Sequence, residues 1–324
     1  MPAQATATAA AAVRPNVLFI TVDTRRADRQ GCYGFEQART PHVDRLAADG
    51  VRVQEARAAT PLTLPSHATL MTGLEPPAHG ARNNGHALTD EVQTLAERLK
   101  SEGYQTQAFV SAEVLHRRFN LDQGFDGYDD ELSAERVLFH ERSGKETVDR
   151  VTAWLDARPS EQPETAPFFL WVHLFDPHWP YTAPAADARN AATPYDAEIT
   201  TADRQIGRIL DSLKRKRLLD DTLIVFTSDH GESLGEHGEA SHAILIYECT
   251  IRVPLIFRYP RRLPAAKVYP GPVRGVDVMP TLLGFLGVSA QKSQGLDLSE
   301  ALLGRAAAPA VDSYAESLFS AEVY

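Results

Sequence analysis

Runs of apolar residues of strand length, with no alternation of polar positions, recur along this chain. They are N-V-L-F-I-T-V at 16–22, P-F-F-L-W-V-H-L at 167–174, T-L-I-V-F-T at 222–227 and V-P-L-I-F at 253–257. A strand that is apolar on both sides has to be covered on both sides, and that is the habit of parallel sheets. Residues 107–111 read as a further strand. Helical patterns lie between these runs. Thr40-Pro41 opens one, with Pro at its first turn and Val43, Leu46 and Ala47 on one face. Others cover 64–71 (closed by Gly73), 91–100, 145–155, 195–216 and 277–286. The basic end Lys214–Arg217 suits a helix C-terminus and reads as solvated. Alternating strands and helices predict an α/β fold, with one large, mainly parallel central sheet and helices on both faces. Residues 126–143 and 182–192 read as long loops at the rim of a site.

The chain of 324 residues divides into a disordered tail, 1–14, and one catalytic domain, 15–324. No stop signal precedes Tyr324, so the domain reads as truncated before its C-terminal part. Residues 1–13 lack a basic region and a Leu-rich run, so no export signal is read. As written the protein is expected to be cytoplasmic, or periplasmic or secreted if such a signal has been removed. The longest apolar runs are too short to span a bilayer. Net charge is −10, from 43 acidic and 33 basic residues, which repels a phosphate backbone and argues against nucleic acid as a partner. Cys32 and Cys249 read as two buried thiols rather than a disulfide framework. No G-x-G-x-x-G follows the first strand, which argues against a dinucleotide site.

In an open α/β sheet, ligands bind beyond the carboxyl ends of the strands. Three strands here end in groups able to bind metal: Asp23-Thr24; His173, followed by Asp176 and His178; and Asp229-His230. Each alone reads as a cap or a buried histidine, whereas together they predict a shared metal site. Neighbours on an extended strand face opposite ways, so Asp229 and His230 share an ion only if the chain turns, and Gly231 permits this. A carboxylate with an imidazole suits Zn²⁺ or Mn²⁺ better than Ca²⁺ or Mg²⁺. In T-P-L-T-L-P-S-H-A-T-L-M-T-G at 60–73, Pro65 falls in the first turn of a helix, so Thr63 lies at or just before its N-terminus. A hydroxyl there is an N-cap or a nucleophile, facing a place that favours an anion.

The chain resembles the sulfatase family of the alkaline phosphatase superfamily from about Pro15 to Pro280. The resemblance rests on motifs in order: N-V-L-F-I-T-V-D-T at 16–24, G-C-Y-G at 31–34, T-P-H-V-D-R-L-A at 40–47, L-P-S-H-A-T-L-M-T-G at 64–73, D-P-H-W-P-Y at 176–181, T-S-D-H-G-E-S-L-G-E-H-G at 227–238 and R-V-P-L-I-F at 252–257. It implies a metal held by Asp23, Thr63, Asp229 and His230, with Thr63 as nucleophile. It also implies that His178 lines the substrate site and that Asn84 (or its neighbour Asn83) holds an anionic oxygen. The family commonly has a Lys after D-H-G-E; here none follows, and His242 is the nearest candidate. Asp176, His178 and His242 form a possible second metal set, and His237 reads as structural.

The departures narrow the expected chemistry. Family sulfatases carry Cys or Ser followed by x-P-S/A-x-Arg and oxidise it to formylglycine. This chain has Thr63-Leu64-Pro65-Ser66-His67, and Asp23-Thr24 where sulfatases have Asp-Asp. Threonine cannot become that aldehyde, so no formylglycine is expected. The resemblance then implies a hydrolase acting on a small anionic ester, a phosphodiester or phosphonate monoester, through a phospho-threonine. Alternatives are a sulfuric ester hydrolase, a phosphoglycerol- or phosphoethanolamine-type transferase, and a non-catalytic headgroup or glycan binder. The sequence is silent on oligomeric state.

Overall fold

The structure, a computed structural model, describes residues 14–132, 141–159 and 166–320. The expected disordered tail lies outside the described residues, apart from Arg14. Eight strands of the described chain make one sheet: β1 (Asn16–Val22), β2 (Val51–Arg57), β3 (Gln105–Phe109), β4 (Gly127–Asp129), β5 (Phe168–Leu174), β6 (Thr222–Ser228), β7 (Arg252–Arg258) and β8 (Lys267–Arg274). Their order is β4-β3-β5-β1-β6-β7-β2-β8. β1 lies between β5 and β6, parallel to both, with Thr21 opposite His173 and Thr227. Of the described strands β7 alone runs against its neighbours, so the expected mainly parallel sheet is what forms.

The helices are α1 (Pro41–Ala48), α2 (Thr63–Thr72), α3 (Pro76–His79), α4 (Leu95–Ser101), α5 (Gly144–Ala157), α6 (Ala185–Ala188), α7 (Pro194–Arg215), α8 (Glu248–Ile251), α9 (Gly275–Leu286) and α10 (Ser299–Leu303). Each residue of a strand faces the side opposite to its neighbour, and β1 therefore feeds two cores. Val17 and Phe19 pack with Leu64, Leu95 and Leu282 from α2, α4 and α9. Leu18, Ile20 and Val22 pack with Val43, Val148 and Ile206 from α1, α5 and α7. Full burial of each such side chain contributes roughly 1.5–3 kcal/mol, so both layers hold the central strands in place.

Several expectations shift. The amphipathic stretch 91–100 becomes a helix only from Leu95, where Thr94 and Glu97 close a capping box. The supposed loop 182–192 contains α6, and the described part of 126–143 contains β4. Cys32 and Cys249 are free, as expected, but only partly buried. No described helix is long and apolar enough to cross a membrane.

Candidate active site

Three parallel strands end side by side, and α2 begins above them. Asp23 follows β1, while Asp229 and His230 follow β6; all three are fully buried. Thr63 is the first residue of α2, with Leu62 at the N-cap and Gly73 closing the helix in the left-handed region. Thr63 is thus not the cap, and its hydroxyl is not committed to the helix's own amides. It lies 3.3 Å from His230 Nε2 and 3.5 Å from Asp23 Oδ2. His230 Nε2 is 3.5 Å from Asp229 Oδ2 and 3.7 Å from Asp23 Oδ1.

The turn after β1 is strained. Thr24 has φ +53°, a rare state for a β-branched residue. Its amide thereby reaches Asp229 Oδ1 at 3.2 Å, and its carbonyl accepts from the Tyr195 hydroxyl at 2.7 Å. The turn after β6 works differently from expectation. Gly231 is needed for close approach, because a Cβ there would lie 2.1 Å from the Cys249 carbonyl oxygen, and its amide donates to Thr250 O at 2.7 Å.

Hydrogen-bond direction decides what each histidine offers. His230 Nδ1 lies 2.9 Å from the Gly231 carbonyl, which only accepts, so Nδ1 carries the proton and Nε2 presents a lone pair to Thr63, Asp23 and Asp229. His173, at the end of β5, takes the Ser111 amide on Nδ1 at 3.3 Å. Its proton therefore sits on Nε2, which is buried 3.5 Å from Asp23 Oδ2 without a hydrogen-bond partner.

Asp23, Asp229 and His230 form one of two groups in the described chain whose ligand atoms all lie within 4.8 Å of one another; the other is His67, His173 and Asp229. Asp23 Oδ1 and Asp229 Oδ2 are buried without a hydrogen-bond partner. Burial, then the charge of Asp229, pushes the Asp23 carboxyl well above the usual carboxylate range. Burial works in the same sense on Asp229, but His230, His67 and His173 outweigh it and hold that carboxyl below the range. Two buried carboxylates with orphaned oxygens, one imidazole lone pair and one hydroxyl fit a divalent cation, as both charge and open coordination require.

The other residues expected at the site are distributed around this centre. Asn84 Oδ1 accepts the Leu64 amide at 3.0 Å, which ties Asn84 to the start of α2 and leaves its NH₂ as a donor. Asn83 Oδ1 takes the Asn84 amide at 2.9 Å. The His242 ring centroid lies 4.5 Å from that of His230 and 5.1 Å from that of His178, so His242 packs against the centre and His178 stands behind it. Asp176 instead accepts the Gly144 amide at 2.7 Å, at the start of α5. It does not join His178 and His242 in a ligand group within 4.8 Å. His237 is stacked on Tyr247 at 3.7 Å.

Sequence reasoning passed over Glu232. It is fully buried and accepts from Ser241 Oγ at 3.0 Å and His242 Nδ1 at 3.1 Å. That leaves His242 Nε2 directed away from the carboxylate. An acidic residue two positions beyond His230, in D-H-G-E, was the available signal.

Residues 15–288 match the family model described as Sulfatase. The chain belongs to the sulfatase family. Among relatives of this sulfatase-family hydrolase is an uncharacterised sulfatase, YidJ, of Escherichia coli K12, 26% identical, with 85% of this chain and 68% of the relative covered. An arylsulfatase of Clostridium perfringens is 26% identical over 89% of this chain and 78% of its own. The chain thus spans about two thirds of the first of these relatives. A phosphonate monoester hydrolase of Agrobacterium radiobacter shares the fold, with a TM-score of 0.77 at 24% identity, covering 90% of this chain and 77% of that one.

Proposed function

We propose that this sulfatase-family hydrolase cleaves phosphodiesters or phosphonate monoesters, with Thr63 as covalent nucleophile and one Zn²⁺ or Mn²⁺ held by Asp23, Thr63, Asp229 and His230. The observation that carries the reading is the Thr63 hydroxyl, at the first position of α2 and within 3.5 Å of both Asp23 and His230. The cation supplies Lewis-acid charge that favours the ionised hydroxyl and offsets the negative charge of the transferring group. Thr63 Oγ attacks phosphorus in line, the P–Oγ bond forms, and the bond to the leaving alcohol breaks. The proton that Thr63 Oγ gives up passes to the leaving alcohol through a rim histidine: His178 and His242 have Nδ1 engaged by the Trp179 carbonyl and by Glu232, so the Nε2 lone pair is what accepts that proton and then hands it on. The Asn84 NH₂, left as a donor by the bond from the Leu64 amide to Asn84 Oδ1, holds an equatorial oxygen of the transferring group. Water then attacks phosphorus, the P–Oγ bond breaks, and Oγ regains a proton.

Threonine supports the phosphorus reading over the sulfur one. Its Oγ sits on a carbon that also bears a methyl group, so oxidation leads to a ketone and not to an aldehyde. A threonine sulfate therefore lacks the hemiacetal collapse by which formylglycine releases sulfate. The specific observation on the other side is that relatives carry sulfatase names, an arylsulfatase and an N-acetylglucosamine-6-O-sulfatase of Bacteroides thetaiotaomicron among them. A panel of p-nitrophenyl phosphate diester, phosphonate monoester, phosphate monoester and sulfate, each with Zn²⁺ and Mn²⁺, separates the two. We expect the highest kcat/KM for the diester or phosphonate. Preference for the sulfate overturns the reading.

A further inference from the structure

His67 stands four residues after Thr63 on α2 and is fully buried, yet it faces the site without offering it a lone pair. Its Nδ1 lies 2.7 Å from the Thr63 carbonyl oxygen and its Nε2 lies 3.0 Å from Thr21 Oγ1 on β1. Thr21 Oγ1 in turn takes the Trp171 indole N–H from β5 at 3.0 Å. Both ends of this chain have fixed polarity. An indole N–H only donates and a carbonyl oxygen only accepts. The order is therefore Trp171 Nε1–H to Thr21 Oγ1, Thr21 O–H to His67 Nε2, and His67 Nδ1–H to Thr63 O. The same Nδ1 is 3.7 Å from Asp229 Oδ2, while Ser66 on the same helix turn donates to the Asp229 carbonyl at 2.5 Å. With Nε2 accepting from Thr21, the ring carries one proton only and is neutral.

We propose that His67 is a positioning residue: as the neutral Nδ1–H tautomer, anchored through Thr21 and Trp171 to the adjacent strands β1 and β5, it fixes the first peptide of α2 and so the aim of the Thr63 hydroxyl. This rests on Thr63 being the nucleophile. A carbonyl held by the helix amide and by a side chain rooted in the sheet cannot rock with the helix end, where the first turn otherwise frays. The same contacts explain why the group of His67, His173 and Asp229 is a scaffold and not a second ion site. Both histidines present N–H to the cluster, and a metal requires a lone pair.

Two measurements test it. In the intact wild-type chain with ¹⁵N-labelled histidine, the ring ¹⁵N shifts should show His67 as the Nδ1–H tautomer; the Nε2–H tautomer would overturn the proposal, whatever the activity. His67→Asn keeps an N–H near the position of Nδ1, whereas His67→Gln is closer in size but carries its amide beyond it. With bis(p-nitrophenyl) phosphate as substrate, kcat should fall about 100-fold in His67→Gln and no more than about 10-fold in His67→Asn, with KM unchanged in both. A role in packing alone reverses that order, and Gln matching or exceeding Asn would sink the idea. Full turnover by Thr63→Ala in parallel would instead dismiss the nucleophile and leave the tautomer result standing.

Discussion

His230 Nε2 and Thr63 Oγ1 stand 3.3 Å apart although 167 positions separate them in the chain, and both are buried. Neither atom is used by its own local backbone: His230 is held through Nδ1 and Thr63 is not a cap. The pairing predicts that Thr63→Ala lowers kcat by roughly three orders of magnitude or more, while Thr63→Ser keeps part of the rate because it keeps the hydroxyl. Mass spectrometry of a quenched reaction should find phosphate on the peptide containing Thr63. Wild-type rates in Thr63→Ala would remove the covalent step.

The orphaned oxygens of Asp23 and Asp229 predict metal loading. The purified chain should carry about one divalent ion by elemental analysis, and Asp229→Ala should carry little. Chelation should lower the melting temperature of the wild type, since an ion at 100 times its Kd adds about 2.7 kcal/mol to the folded state. Equal metal content in wild type and Asp229→Ala would refute the ligand assignment.

The strained turn at Thr24 makes a separate prediction. Its φ is +53° and its hydroxyl is buried without a partner. Thr24→Gly removes both penalties and retains the amide that donates to Asp229. The expected outcome in urea denaturation is a stability within about 1 kcal/mol of wild type or above it, despite the added freedom of the unfolded chain. A loss of more than about 2 kcal/mol would show that the Thr24 side chain does something the structure does not display.

His79 sets part of the acid sensitivity. It is buried, its Nδ1 accepts the Ala81 amide at 3.2 Å and its Nε2 bonds Thr69 Oγ1 at 3.0 Å. Burial lowers its pKa from the ordinary 6.5 to about 4. The unfolded chain therefore takes up this proton first. The contribution is complete above about pH 6.5 and is lost as the pH falls towards 4. His79→Asn, which keeps an acceptor near Nδ1, should lose less stability than wild type between pH 7 and pH 5 in urea titrations. Parallel losses in the two proteins would contradict this.

Much of the scaffold was readable because β1, β5 and β6 are apolar on both faces, and residues with that property have few alternatives to a covered central strand. Strand direction was not readable in β7: V-P-L-I-F is equally apolar whichever way it runs. β8 was hidden because K-V-Y-P-G-P-V-R holds two prolines and a glycine, which only an edge strand tolerates, and β8 is the edge. In the site, Asp23, Asp229 and His230 were legible as polar groups at strand ends. The proton positions of His67 and His173 were not, because they depend on Thr21, Trp171 and Ser111, partners supplied by other strands and loops. Asp176 misled for a related reason. It lies two residues before His178 in sequence, but its neighbour in space is the start of α5.

β1 is the first strand in the chain, and it is flanked by β5 and β6 rather than by β2. Its site partners come much later: the Thr24–Asp229 bond closes a loop of 205 residues. Contacts of that separation cost chain entropy before they return anything, so they form late in folding. During synthesis, then, Asp23 and Thr63 wait for most of the chain to emerge before Asp229 and His230 exist beside them. The candidate ion site is therefore complete only when folding nearly is. A chain stopped short of residue 230 should be blind to the cation, and metal uptake measured during refolding should lag behind secondary structure and keep pace with the docking of β6 onto β1.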